Sequence, residues 1–389
     1  MNKERILAAI KKTVACDTPV ALHEPLFSGN EWKYVKECLD TGWVSSVGEY
    51  VDRFEQMIVS LTGVKKAVAV INGTAALHIS LLSAGVRPDD EVLVPALTFV
   101  ATANAVVYCG AVPHFVDSEE KTLGLDPHKL AQYLTETGEL RDDACFNRKT
   151  GRRIRAVIPV HIFGHPVDLD PLKTICERFW LTLIEDAAES IGSYYKGRHT
   201  GNWGKLAILS FNGNKTITTG GGGAILTNDE SLGNELKHIT TTAKIPHPWE
   251  YRHDRIGYNY RMPNINAALG CAQLEQLETL IQRKRRLADL YEEAFHGIEG
   301  VRFFKEQSFA RSNYWLNVLL LDPACEWLRD DLLELLNSHK IMARPAWTLM
   351  HRLAMFTQCP RMDLGTAESL ERRIINIPSS PYLGGQVDG

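Results

Sequence analysis

The sequence predicts an α/β protein in which a mixed, mostly parallel sheet lies between helices, followed by a smaller α+β region at the C-terminus. The chain has 389 residues, which is room for two or three domains. Hydrophobic residues make up 44% of it and charged residues 23%, which is typical of globular proteins and excludes an intrinsically disordered chain. From about residue 67, short apolar runs alternate with helix-like segments, the pattern of repeated β-α-β units.

The elements of the large region follow from this alternation. Apolar runs predict strands at 67–71, 91–95, 112–116, 156–163, 181–185, 207–211 and 223–227. Helical patterns lie between several of them, at 74–84, 98–107 and 172–179. Buried parallel strands need helices on both faces of the sheet, and this order of elements supplies them.

A long helical pattern over 264–295 is expected to connect the large region to a smaller C-terminal part. We place the boundary near residue 275, which gives a large domain of residues 1–275 and a small domain of residues 276–389. Residues 1–15 predict a short amphipathic helix within the large domain. In the small domain, residues 301–304 and 315–321 indicate strands and residues 327–338 a helix.

Charge and cysteine content exclude several classes of protein. The formal net charge is −4, whereas a nucleic-acid-binding protein would carry a basic excess. No apolar stretch approaches the length of a membrane span or of a signal-peptide core. The eight cysteines are scattered without a CxxC pair or metal-ligand spacing, so we expect no metal and a cytoplasmic location. The basic segment 139–155 is open to two interpretations, a solvated surface excursion or a loop that meets a phosphate.

The residues that indicate chemistry lie mainly between 184 and 228. Asp186 ends a predicted strand, which is where ligands bind in open α/β sheets. Lys215 follows, and then the glycine run 220–223. A lysine that can form a Schiff base and an aspartate that can keep a pyridine nitrogen protonated suggest pyridoxal phosphate. Each feature alone has a plainer interpretation, as a solvated lysine, a turn-forming aspartate and a hairpin turn, so the prediction depends on their combination.

Two further segments agree with this cofactor. Asn72-Gly73-Thr74 opens a helix after the first strand, and backbone N–H groups at such a start bind anions. Without a ligand the same segment would be an ordinary helix cap. Phe99 follows the second strand, where it could stack on a planar ring or simply pack in the core.

Taken together with further matching segments, these motifs resemble those of the DegT/StrS family of sugar aminotransferases, and the resemblance covers nearly the whole chain. The resemblance implies the aspartate aminotransferase fold (pyridoxal phosphate fold type I), with a seven-stranded sheet. The matching segments are 42–45, 72–77, 95–99, 159–164, 185–190, 210–215 and 257–261.

The resemblance also implies roles for individual residues. Lys215 matches the Schiff-base lysine and Asp186 the partner of the pyridine nitrogen, and both are expected to be catalytic. The expected cofactor-binding set further holds Gly73, Thr74, Ala75, Phe99, Glu189, Ser210 and Asn259. Within that set, Thr74, Ala75 and Ser210 match phosphate ligands, and Phe99 matches the aromatic residue that stacks on the ring. Asn259 matches a phosphate ligand donated by a second subunit, which implies a homodimer with shared active sites.

Glu189 departs from the family pattern. Most members of the family have Gln at this position, or in some branches His, bonded to the cofactor's ring hydroxyl. A carboxylate beside that oxygen would be repelled unless a proton were shared. Some members of the family carry His in place of the lysine and catalyse dehydration. The presence of Lys215 argues against that reaction in this chain.

A closer resemblance is to the branch that aminates C4 of nucleotide-linked 4-keto-6-deoxy sugars for legionaminic-acid-type and bacillosamine-type pathways. It implies a ping-pong transfer from L-glutamate, for surface-glycan or nonulosonic-acid biosynthesis. The implied substrate-binding residues are Trp43, Ser45, Arg344 and His351. The preferred acceptor is UDP-linked 4-keto-6-deoxy-N-acetylglucosamine, with GDP- or dTDP-linked keto sugars as alternatives. Two other classes stay open: a pyridoxal phosphate-dependent dehydratase or lyase, and a non-catalytic protein that has kept the fold.

Overall fold

The computed structural model describes residues 3–15 and 19–385; residues 1–2, 16–18 and 386–389 lie outside the described part. The helices in it are α1 (Lys3–Val14), α2 (Glu31–Thr41), α3 (Glu49–Thr62), α4 (Gly73–Ser83), α5 (Val100–Tyr108), α6 (Pro127–Thr137), α7 (Leu169–Phe179), α8 (Glu230–Thr240), α9 (Asn264–Glu275), α10 (Leu277–Phe295), α11 (Arg329–Ser338) and α12 (Gly365–Arg373). The strands of the main sheet are β1 (Lys66–Val70), β2 (Glu91–Pro95), β3 (Val112–Val116), β4 (Gly138–Arg141), β5 (Ala144–Asn147), β6 (Arg153–Val157), β7 (Thr182–Asp186), β10 (Leu206–Ser210) and β11 (Gly223–Thr227). The remaining strands are β8 (Tyr194–Tyr195), β9 (Arg198–His199), β12 (Lys244–Ile245), β13 (Arg252–His253), β14 (Val301–Phe303), β15 (Ala310–Arg311), β16 (Asn317–Leu321), β17 (Arg344–Pro345) and β18 (Ile374–Ile377).

The main sheet confirms the predicted α/β class. Its central path has the order β1-β11-β10-β7-β6-β2-β3. Pairs within β10-β7-β6-β2-β3 are parallel, while β11 is antiparallel to both of its neighbours. The strands of this path except β11 therefore point the same way, and their carboxyl ends share one edge of the sheet.

Both faces of the sheet are covered, as the alternation predicts. In β1, Val68 and Val70 face one hydrophobic cluster, which includes side chains of α4 and α5. Ala67 and Ala69 face another, formed with α3 and α9. Side chains alternate across a strand, so a strand buried on both sides is apolar throughout.

One strand differs from its prediction. The sequence predicts a strand over 156–163, but β6 ends at Val157, and Ile162–Gly164 form a 3₁₀ turn. Phe163 in that turn has φ +56°, a left-handed conformation that an apolar run does not announce. The turn carries residues of the site described below.

The basic segment 139–155 forms a hairpin, β4 and β5, that extends the sheet beside β6. It is anchored by the buried Glu91, whose carboxylate accepts hydrogen bonds from Asn147 Nδ2 (2.9 Å) and Thr150 Oγ1 (2.6 Å). Glu91 is the first residue of β2, and the segment precedes β6. The segment therefore lies at the amino ends of the parallel strands, opposite the edge where such sheets bind ligands.

The C-terminal residues build a second, antiparallel sheet of order β14-β16-β18-β17. Gln276 separates α9 from α10, so the predicted single helix is two, and the predicted boundary falls at this junction. The sequence predicts α1 as part of the large domain, whereas in the structure its buried side chains pack in a cluster with residues of α10 and of the second sheet.

No helix among the described residues is long and apolar enough to cross a membrane.

Candidate active site

The carboxyl edge of the main sheet borders a cavity of about 330 Å³. Asp186 and Ser210 are the last residues of β7 and β10, and Asn72 and Phe99 lie in the segments that follow β1 and β2. They meet there because those strands run in the same direction. Among the residues that line it, the charged ones are Asp186, Glu189 and Lys215. The full lining is Asn72, Gly73, Thr74, Leu77, Thr98, Phe99, Ala101, Thr102, Val160, Asp186, Ala188, Glu189, Ile208, Ser210, Asn212, Asn214, Lys215, Trp315 and Trp347.

Asp186 is buried at the floor of the cavity, with 4% of its surface exposed. Oδ2 accepts a hydrogen bond from Thr102 Oγ1 (2.8 Å) and Oδ1 accepts one from the Ala188 N–H (3.2 Å). Burial raises the pKa of this carboxyl, against the lowering effect of these donors and of Lys215. A buried carboxylate is costly without a cationic partner, so Asp186 is suited to a ligand that brings a positive charge.

Lys215 lies in the turn that follows β10 and points into the same cavity. Its Nζ is 3.4 Å from Glu189 Oε1 and 3.7 Å from the centre of the Trp315 ring. Trp315 is fixed in turn, because its Nε1 donates to the Asn214 carbonyl (2.7 Å). The lysine amine is thereby directed toward the interior, whereas most lysines extend into solvent.

Glu189 faces Lys215 from the loop after β7. Its Oε2 accepts a hydrogen bond from the Phe163 N–H (2.7 Å). The left-handed backbone of Phe163 aims that N–H at the carboxylate, while its ring stacks on Trp347 at 5.1 Å. Burial raises the pKa of Glu189 and the nearby Lys215 opposes the rise.

The opposite end of the cavity is the start of α4. Asn72 Oδ1 caps the helix by accepting from the Ala75 N–H (2.8 Å). Gly73 packs so close to Ser210 that a Cβ on it would come within 3.1 Å of the serine Cβ. The N-terminus of an eleven-residue helix and two hydroxyls, of Thr74 and Ser210, thus converge, which is a suitable place for a phosphate. Ala75 does not line the cavity, and its N–H already has a partner.

Phe99 and Trp347 form the aromatic wall. Phe99 is 52% exposed although it is a large apolar side chain, and its ring is 6.2 Å from that of Trp347. An exposed ring beside a cavity is available to stack on a planar ligand.

Asn259 lies away from this cavity, on the surface. Tyr258 and Tyr260, on either side of it, pack on His78 of α4 with ring centres at 5.2 and 6.0 Å. Asn259 Oδ1 accepts hydrogen bonds from Arg261 Nε (3.1 Å) and from its terminal nitrogen (2.9 Å). The segment thus holds Asn259 at the surface, away from the cavity of this chain.

The residues expected to bind substrate are dispersed in one chain. Trp43 and Ser45 are exposed after α2, and neither lines the cavity. Arg344 is exposed in β17 and donates to Asn337 Oδ1 (3.1 Å). His351 is mostly buried, with Nε2 3.4 Å from Glu368 Oε1. Their roles stay predictions.

Sequence reasoning missed several residues that build the site. Thr102 holds Asp186, and Phe163 holds Glu189. Asn313 is fully buried; its amide donates to the Glu189 carbonyl (3.0 Å) and its Oδ1 accepts from the Trp315 N–H (2.8 Å). Thr102 carried a detectable signal, since it lies one helical turn after Thr98. Phe163, Asn313, Trp315 and Trp347 act through long-range contacts, which a sequence pattern does not reveal.

Comparison with known proteins places this geometry in context. Residues 26–387 match the model of the DegT/DnrJ/EryC1/StrS aminotransferase family. The chain is 38% identical to the GDP-perosamine synthase of Escherichia coli O157:H7, over 94% of this chain and 95% of that protein. It is also 37% identical to a Bacillus subtilis strain 168 protein that is named as the pyridoxal phosphate-dependent aminotransferase EpsN. That match covers 94% of this chain and 92% of the Bacillus protein. A crystal structure of a DegT DnrJ EryC1 StrS aminotransferase from Brucella abortus superposes with a TM-score of 0.81 at 28% identity, covering 91% of both chains.

Proposed function

The chain belongs to the DegT/DnrJ/EryC1/StrS aminotransferase family, and from that membership we propose that it moves an amino group from L-glutamate to C4 of a GDP-linked 4-keto-6-deoxy sugar. The observation that carries the proposal is the pair Lys215 and Asp186, directed from different strands into one cavity. An amine and a buried acid so placed have no purpose in a protein that only binds a sugar. They suit an enzyme that transfers an amino group through a bound cofactor.

The cofactor of the family is pyridoxal phosphate, which supplies an aldehyde to carry the amino group and a ring that withdraws electrons from the carbon being deprotonated. The residues present fit it. Asp186 is a buried acid in need of a cationic partner, Phe99 is an exposed ring on the cavity wall, and α4 begins beside two hydroxyls.

Each residue then has a definite task. Lys215 Nζ would hold the aldehyde carbon, and Asp186 would keep a proton on the ring nitrogen. A charge pair of this kind at ~4 Å contributes about 4 kcal/mol at an effective dielectric constant of ~20. Phe99 would stack on the ring. Gly73, Thr74 and Ser210 would bind the phosphate, and Glu189 would contact the ring hydroxyl.

Lys215 also moves protons. Once its nitrogen is free, the neutral amine can remove the proton from Cα of L-glutamate, because it already lies inside the cavity beside the reacting carbons. The same amine can later return a proton to C4 of the acceptor sugar. Trp315 and Asn214 keep the lysine over the cavity in both halves of the reaction.

The choice of nucleotide rests on the relatives. Sequence analysis preferred a UDP-linked acceptor and kept GDP-linked sugars as an alternative. Proteins named GDP-perosamine synthase from three organisms are 36–38% identical to this chain over 94% of its length. These names favour the GDP-linked alternative.

We further propose that the working unit is a homodimer. Asn259 faces away from its own cavity. The nearby β12–β13 hairpin carries Trp249 and Tyr251, and Ile256 follows the hairpin; each of these three side chains is more than three-quarters exposed. Apolar side chains left open to this degree are typical of a protein–protein interface. In such a dimer Asn259 would complete the phosphate site of the second subunit.

The test is a competition between acceptors. Purified protein, pyridoxal phosphate and ¹⁵N-labelled L-glutamate are incubated with GDP-, UDP- or dTDP-linked 4-keto-6-deoxy sugar, and the labelled amino sugar is measured by mass spectrometry. We expect kcat/KM for the GDP-linked sugar to exceed the other two by about tenfold or more. Faster amination of the UDP-linked sugar would overturn the choice of nucleotide. Loss of water without gain of ¹⁵N would overturn the aminotransferase assignment.

A further inference from the structure

Two buried glutamates, one at the end of β7 and one in the loop that follows it, differ in one respect that bears on catalysis. Glu185 is fully buried at the end of β7, and Glu189 is 4% exposed. Burial disfavours the charged form of both. What distinguishes them is the number of hydrogen-bond donors directed at each carboxylate.

Glu185 is surrounded by fixed donors. Its Oε1 accepts from the N–H groups of Trp203 and Gly204, both at 2.7 Å. Its Oε2 accepts from the Gly201 N–H (2.8 Å) and from His161 Nε2 (3.0 Å). His161 and these N–H groups hold the pKa of Glu185 below its ordinary value despite its burial, which favours the charged form of this carboxyl.

Among the residues that the structure describes, Glu189 has a single fixed donor, the Phe163 N–H at 2.7 Å. The other is the amine of Lys215 at 3.4 Å. Asp186, a like charge, also acts on Glu189, and His161 acts in turn on Asp186. One N–H does not compensate a buried carboxylate, so the charge on Glu189 depends on a positive charge on Lys215.

Lys215 cannot keep a constant charge during transamination. Its nitrogen must be neutral to attack a carbonyl carbon or to take a proton from Cα of the donor, and it must be protonated to give a proton back. The nitrogen is also enclosed, since its side chain is 13% exposed. A group inside the cavity can therefore exchange a proton with Lys215 Nζ more readily than solvent can.

We propose that Glu189 is the proton partner of Lys215, so that the two groups are either both charged or both neutral. In one direction an N–H bond of the Lys215 ammonium breaks and an O–H bond forms on Glu189 Oε1. In the other direction the O–H bond breaks and the proton returns to Nζ. No further reactant is needed, and the net charge of the pair is unchanged.

The geometry of Phe163 suits this exchange. Its φ of +56° is a costly conformation for a residue with a side chain. The conformation is held by the stacking of its ring on Trp347 and by its carbonyl, which accepts from the Leu316 N–H at 3.2 Å. Its N–H fixes Oε2 and leaves Oε1 facing the lysine. Because the proposal rests on the role given to Lys215 above, its test must not depend on turnover.

The test uses infrared difference spectra of the cofactor-free protein near pH 7. Wild type, Lys215→Arg and Lys215→Met are each compared with the same protein carrying Glu189→Gln, so that only the Glu189 carboxyl differs. Lys215→Arg keeps a permanent positive charge at this position, and Lys215→Met removes the charge at similar volume. The Glu185 carboxylate is common to each pair and cancels.

We expect a carboxylate band for Glu189 in wild type and in Lys215→Arg, and a carboxylic-acid C=O band in Lys215→Met. An acid band in Lys215→Arg, or a carboxylate band in Lys215→Met, would overturn the proposal. The wild-type and Lys215→Arg pairs still test it if Lys215→Met does not fold. If the infrared bands are as expected but the amination assay shows no product, the proposed function is overturned. The proton coupling of Glu189 and Lys215 would still be supported.

Discussion

At the scale of single residues, the site depends on which polar groups are left unsatisfied by the fold. Asp186 is the last residue of buried strand β7, and Asp117 directly follows buried strand β3, so both carboxyls lie at the carboxyl edge of the main sheet. Asp117 is saturated: it accepts from Lys129 Nζ (2.5 Å) and from the N–H groups of Thr366 (3.3 Å) and Ala367 (2.8 Å) at the start of α12. Asp186 has a hydroxyl and one N–H, and it borders the cavity. Asp117 therefore joins two parts of the chain, whereas Asp186 is available to a ligand.

This contrast gives a matched pair of variants. Asp186→Asn should lower the rate of the reaction with L-glutamate by about 10²-fold or more, because the ring nitrogen loses the carboxylate that keeps it protonated. The unfolding midpoint should change little. Asp117→Asn should instead lower the stability of the protein and leave the rate per folded site near that of wild type. Stopped-flow spectroscopy and denaturant unfolding measure the two effects, and the reverse pattern would show that the wrong aspartate had been identified.

Much of the site could be predicted from the sequence, although its supports could not. Asp186, Lys215, Ser210 and Thr74 are marked by their order and by adjacent strands and glycines, and the structure brings them to one cavity. Asn313 and Trp315 lie 98 and 100 residues downstream of Lys215, in a different part of the fold. Their positions follow from tertiary packing, which leaves no local pattern. The placement of Asn259 beside another subunit's phosphate stays a prediction.

At the scale of elements, the apolar runs predicted strands best where a strand is buried on both faces. The predicted ranges 91–95, 112–116 and 223–227 coincide with β2, β3 and β11. The β4–β5 hairpin escaped prediction because both strands have only four residues, and because β4 is charged and largely exposed, so neither strand forms an apolar run. The apolar run at 156–163 predicted too long a strand. Buried loop residues such as Ile162 and Phe163 are as apolar as the residues of a buried strand.

The glycine run offers a test at this scale, since its members differ in their surroundings. A Cβ on Gly223 would lie 2.5 to 2.7 Å from backbone atoms of Asn72 and Gly73, at the start of α4. Gly223→Ala should therefore cost about 1–3 kcal/mol in unfolding free energy and weaken pyridoxal phosphate binding, because the phosphate end of the site must shift. Gly221, which has no such neighbour within 4 Å, supplies the control. Equal effects of Gly221→Ala and Gly223→Ala would refute this explanation.

At the scale of the whole molecule, the chain combines a large α/β sheet with a smaller antiparallel sheet, and the cavity draws on both parts. Trp315 and Trp347 come from beyond residue 276 and close the cavity that the main sheet opens. Helix α1 packs with the C-terminal cluster, which ties the two ends of the chain together. Sequence patterns alone could not predict this pairing, because both contact faces are merely amphipathic.

Shared active sites can be tested by mixing two inactive proteins. Lys215→Ala removes the catalytic amine from its own site, and Asn259→Ala is expected to impair the site of the second subunit. A dimer of one chain of each type holds one intact site and one site with both defects. Denaturing and refolding equal amounts together should restore about a quarter of wild-type activity per site. Activity equal to the mean of the two separate variants would contradict a shared site.

The most direct test of the central claim is the absorption spectrum of the purified protein with pyridoxal phosphate, before and after L-glutamate is added. We predict a band near ~410–430 nm that moves to ~330 nm as the cofactor takes the amino group, with no such change in Lys215→Ala. A band that ignores glutamate would contradict the assigned donor and favour a dehydratase. The absence of any band in wild type would contradict the roles given to Lys215 and Asp186.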